Sequence, residues 1–127
     1  MALTKEQATI LEKTMPVYTV TLLDETDAAV PLTSISAITL TLYDRHTGGT
    51  INSRSAQNIK NANNVTIHAT SGLLTWSMQE ADNAIQDSTL PAEIEEEHIA
   101  LFQWTLSDGK KGKYERRFYI RQLEKVT

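Results

Sequence analysis

The chain has 127 residues, a formal net charge of -4 and no cysteine. That length suits one ordinary domain whose core can stand without covalent staples. The missing thiols exclude thiolate metal sites, thiol catalysis and redox switching, and they fit a reducing compartment. The acidic balance gives no reason to expect nucleic acid as a partner. No apolar run approaches the about 18 residues that a spanning helix needs. Met1-Ala2-Leu3-Thr4-Lys5-Glu6 lacks the basic lead and apolar run of a secretory leader. The expectation is a protein made in a cytoplasm and with no membrane partner.

Residues 1–15 read as an N-terminal arm before a domain over 16–127. Leu3, Ile10 and Leu11 give the arm a weak helical pattern, and Thr4 with Gln7 is a loose capping box. Pro16 ends it, because proline disfavours helix in the residue before it. Val17-Tyr18-Thr19-Val20-Thr21-Leu22-Leu23 is rich in β-branched and aromatic residues and predicts a strand. Asp24-Glu25-Thr26-Asp27 turns the chain. Ile38, Leu40 and Leu42 then alternate with Thr39, Thr41 and Tyr43, the clearest strand period in the sequence. It stops at Asp44, and Thr47-Gly48-Gly49-Thr50 is a turn.

Residues 52–64 are rich in Asn, Ser and Gln and predict a surface loop with room for one helical turn. Val65 and Ile67 make a short strand. Ser71-Gly72 turns into Leu74, Trp76 and Met78, and Gln79 to Ile85 predicts a short helix. Residues 86–97 predict an acidic loop. Ile99 to Leu106 is a strand with Phe102, Trp104 and Leu106 on one face. Ser107-Asp108-Gly109-Lys110-Lys111-Gly112 connects it as a hairpin to Tyr114–Ile120. This succession of short strands and turns predicts an all-β sandwich or small barrel of antiparallel strands.

The ordered features from Val17 to Ile120 resemble the N-terminal, immunoglobulin-like domain of the upper baseplate proteins of tailed bacteriophages. The matching stretches are Leu22-Leu23-Asp24 with Val30-Pro31-Leu32-Thr33, and Ile38 to Asp44. They continue with Ser71 to Met78 running into Ala81-Asp82-Asn83-Ala84, and Ala100 to Trp104 with Asp108-Gly109-Lys110. Each is a strand or turn signal. The resemblance implies an immunoglobulin-like β-sandwich in a virion, made in the host cytoplasm, that anchors virion parts to one another. The loops at 52–64 and 86–97 look longer than the family's, and the chain ends soon after the last strand. That leaves the neck, the tail, the baseplate and the head surface as positions.

Charge is unevenly placed. Glu80 to His98 holds seven acidic residues and no Lys or Arg, and Lys110 to Lys125 holds seven Lys or Arg. One reading is two solvated faces. The sharper reading joins one copy's acidic segment to another copy's basic strand or to a neighbouring virion protein. The interface residues are then Tyr114, Arg116, Arg117, Tyr119 and Arg121, with Glu93, Glu95, Glu96 and Glu97. The implied partners are other virion proteins and further copies of this chain.

No catalytic, cofactor or metal residue is assigned. His46, His68 and His98 lack metal-ligand spacing and read as surface or strand-edge residues. No serine sits in a nucleophile elbow, and Gly109 to Lys113 lacks phosphate-loop spacing. Trp76, Phe102 and Trp104 read as core. A carbohydrate- or receptor-binding sandwich is the alternative function, and it requires a row of outward aromatics.

Overall fold

The computed structural model describes residues 9–86 and 95–122. Among them are eight strands: β1 (Thr9–Leu11), β2 (Val17–Thr21), β3 (Ile35–Asp44), β4 (Gln57–Asn58), β5 (Val65–Ile67), β6 (Leu73–Ser77), β7 (Glu95–Leu106) and β8 (Lys111–Arg121). Short 3-10 turns occupy Leu32–Ser34 and Glu80–Asn83. The strands form a five-stranded sheet, ordered β1-β8-β7-β3-β4, and a three-stranded sheet, ordered β2-β6-β5. Pairing is antiparallel except between β1 and β8. The molecule is an all-β sandwich.

Alternation puts the core where two inner faces meet. β3 contributes Ile38, Leu40 and Leu42, β7 contributes Ala100, Phe102 and Trp104, and β6 contributes Leu74 and Trp76. The Trp76 ring meets Phe102 and Phe118 edge-on, with centroids 6.1 and 6.0 Å away. Tyr18 of β2 meets Phe118 at 5.1 Å and shares a hydroxyl hydrogen bond of 2.9 Å with Tyr114 of β8. These contacts fasten one sheet to the other. Burying each such side chain contributes roughly 1.5–3 kcal/mol. Gly112 is required by packing: a Cβ there would lie 2.3 Å from the Trp104 indole.

The structure departs from the sequence expectation at several elements. Thr9–Leu11 is strand, not helix: it runs parallel to Tyr119–Arg121, and Ile10 packs against the core. Pairing with a long neighbour outweighs a weak helical period. β2 ends at Thr21, and Leu23 forms an isolated bridge with Ala29. β3 starts earlier than expected, at Ile35, behind a register shift between Ile35 and Ala37 that breaks the visible alternation. The expected helix from Gln79 is only a 3-10 turn closed by a reciprocal cap between Gln79 and Asp82. The acidic stretch up to Glu97 ends as strand, because Glu95, Glu96 and Glu97 pair with Arg121, Ile120 and Tyr119; the rest of that stretch, 87–94, lies outside the described residues.

Candidate interaction surfaces

The proposed contact strand divides by strand parity. Tyr114, Arg116, Phe118 and Ile120 share the core side of β8, and Glu115, Arg117, Tyr119 and Arg121 share the other. Tyr114 is tied to Tyr18, and Arg116 sits with its Cζ 5.9 Å from the Phe118 ring centroid. Both are half-buried. Burial, followed by the Tyr114 hydroxyl bond, raises the Tyr18 phenol well above its ordinary pKa. Arg116 therefore does not join Arg117 and Arg121 in one basic face.

The acidic residues divide the same way. Glu95 and Glu97 lie on the outer face of β7, next to β8. Glu97 takes Arg117 at 3.3 Å and Arg45 at 3.4 Å, and Arg117 also reaches Glu115 at 3.4 Å. Acidic segment and basic strand thus meet within one chain, as neighbours in a hairpin. Glu96 points inward and is buried. Its Oε1 lies 2.5 Å from His98 Nε2 and accepts the Gln86 N–H at 2.7 Å. His98 is only 1% exposed, unlike the surface or strand-edge residue expected, and its Nδ1 has no hydrogen-bond partner among the described residues. Alternation with Ala100 and Phe102 was the available signal for its inward direction. Glu93 lies outside the described residues.

A second polar centre escaped sequence reading. Arg54, in the loop after β3, is 1% exposed. Its Nε and Nη2 fork onto Asp82 at 2.6 and 3.1 Å. Nη1 donates to Gln57 Oε1 at 2.7 Å and to the Asn63 carbonyl at 3.0 Å, and Nη2 donates to Asn64 Oδ1 at 3.2 Å. All of the N–H capacity of a guanidinium is thereby used. Its Cζ lies 5.5 Å from the Trp76 ring centroid. Asp82 also accepts from Asn52 Nδ2 and the Gln79 N–H. The polar loop wraps this cation, with left-handed φ at Asn52, Ser53, Ala56, Asn61, Asn63 and Asn64. Asparagine tolerates that conformation, which explains the local composition.

A shallow cleft of about 410 Å³ lies between the Asp24–Thr26 turn and the β7–β8 hairpin. Leu23, Trp104 and Leu106 contribute apolar lining, with Asp24, Glu25 and Asp108 among Lys110, Lys111 and Lys113. The Thr26 hydroxyl, then the backbone N–H groups of Ala28 and Thr26, hold the Asp24 carboxyl below its usual range. Near-balanced charge on an open wall suits protein contact better than capture of one small ion. Among the described residues no group of three or more His, Asp or Glu is placed to hold a metal, and no helix is long and apolar enough to cross a membrane. The outer-face aromatics Tyr43 and Tyr119 stand on β3 and β8, separated by β7. No family model and no curated protein matches the chain.

Proposed function

We propose that this chain is a bacteriophage virion structural and adaptor protein with an immunoglobulin-like sandwich. It joins copies of itself or neighbouring virion proteins at the neck, tail, baseplate or head surface. Its mechanism is surface complementarity, not chemistry. The observation that carries this reading is the outer face of β7 and β8. There Glu95, Glu97, Glu115, Arg117 and Arg121 set both signs of charge side by side on one hairpin. Such a face orients a partner and lets internal ion pairs exchange for external ones at small cost. The ordered likeness to the phage domain supports the virion context.

Quantitative mass spectrometry of purified particles of the source phage tests this. A copy number matching the major capsid sites makes the chain a shell decoration protein, and a small ring number puts it at the neck or baseplate. Absence from particles overturns the virion reading and moves the glycan-binding reading ahead.

A further inference from the structure

Within the described residues β2 is an edge strand without the usual protection. Among the described residues it has no strand neighbour on the side away from β6. The Met78 N–H donates to the Pro16 carbonyl and the Leu22 N–H to the Gly72 carbonyl, so even-numbered residues bond toward β6. By antiparallel alternation, the N–H and C=O of Val17, Thr19 and Thr21 point to the open edge. Soluble proteins blunt such edges with charge, proline or a bulge. Val17–Thr21 has no charge and no proline, and its register with β6 runs unbroken.

Exposed apolar surface collects along the same strand. Met15 is 58% exposed, Val17 62%, Leu23 40%, and Leu73, the β6 partner of Thr21, 41%. The neighbouring outward positions are Thr19, Thr21, Thr66, Thr75 and Ser77, without a charged side chain. β8 makes the contrast. Upstream of its β1 contact it too lacks an outer strand neighbour among the described residues, but it carries Lys111, Lys113, Glu115 and Arg117.

We infer that β2 pairs antiparallel with β2 of a second copy, about a two-fold axis at Thr19. In that register the two Thr19 residues face each other, Val17 faces Thr21 of the second copy, and Met15 faces its Leu23. Apolar meets apolar at both ends. The next charges outward are Lys13 on one side and Asp24 and Glu25 on the other, opposite in sign across the axis. Two three-stranded sheets become one continuous sheet. The fit is self-complementary, as a two-fold interface requires, and it uses strand addition. Dimerisation through β2 does not depend on the virion role, and either can fail alone.

The test is sedimentation equilibrium of the full chain from micromolar to millimolar concentration, expected to show a monomer–dimer equilibrium. Thr19→Lys sets two like charges on the axis and should weaken the dimer by up to about fivefold. Mixing Thr19→Lys with Thr19→Glu should restore association as a heterodimer, which a misfolded variant would not do. Because the chain has no cysteine, Thr19→Cys gives a second reading. Facing residues of a hydrogen-bonded pair lie about 5.5 Å apart at Cα, within disulfide reach, so mild oxidation should link the dimer through that site. A wild-type chain that stays monomeric, or a dimer that Thr19→Lys leaves intact, overturns the inference.

Discussion

Two arginine–carboxylate pairs of the same chemistry differ in burial. Arg54 and Asp82 have side chains only 2% and 0% exposed, whereas Arg117 is 48% exposed beside Glu97 at 21%. Inside, each charge has lost its water and depends on its partner, so removing one member leaves the other stranded. Outside, water takes over when a partner leaves. The inner pair therefore fixes the fold, and the outer pair is free to change partners. Arg54→Ala should give the largest effect, about 3–5 kcal/mol of lost stability, read from urea unfolding. Arg54→Lys should recover only part, because an ammonium cannot make the planar fork onto Asp82.

His98 and Glu96 are a second buried pair at another place in the sandwich, with side chains 1% and 3% exposed. His98→Ala leaves a void beside Phe118, its neighbour in register, and removes the Glu96 contact. A loss of roughly 1–3 kcal/mol is expected, by the same unfolding measurement. A loss equal to that of Arg54→Ala would show that burial alone sets the cost. A smaller loss would show that the number of hydrogen bonds made by the lost side chain matters as well.

The strands with unbroken alternation were legible in the sequence, and the buried charges were not. Ile38 to Leu42 and Phe102 to Leu106 announce their inner faces through period two. Trp76, Phe102 and Trp104 are core, as their phase indicated. Arg54 gives no such sign. It lies in a polar loop whose fold exists only around its own guanidinium, and its partner Asp82 is 28 residues away. The charged strand misled for a different reason. Arg116 and Arg117 are adjacent in sequence, and adjacency in a strand means opposite faces. Parity alone separates Arg116 from Arg117, but Glu97 as the partner of Arg117 needs the hairpin register.

Tyr18 and Tyr114 form a neutral polar contact between the sheets, intermediate between the two ion pairs. Tyr18→Phe should cost about 0.5–1.5 kcal/mol. It also has a pH signature. The folded phenol titrates above its unfolded value, since burial opposes its charged form. Its contribution is therefore complete below the unfolded tyrosine value of about 10, and is lost as pH rises past it toward the folded value. Stability measured against pH should fall on the alkaline side in the wild type and fall less steeply in Tyr18→Phe. Equal slopes would assign the alkaline loss to other groups.

Arg117→Glu should have the smallest effect on folding and the most informative effect on assembly. It replaces an attraction to Glu97 and Glu115 with repulsion on an exposed face. The expected change is under about 1 kcal/mol, shrinking as salt screens it. The same substitution reverses the sign of one position on the face proposed to meet virion neighbours. Incorporation into particles should then drop in a salt-dependent way while the unfolding curve scarcely moves. If incorporation is unchanged at low and high salt, the outer ion pairs are solvated decoration, and joining must run through another surface. A drop in incorporation matched by an equal drop in stability would mean that Arg117, like Arg54, serves the fold first.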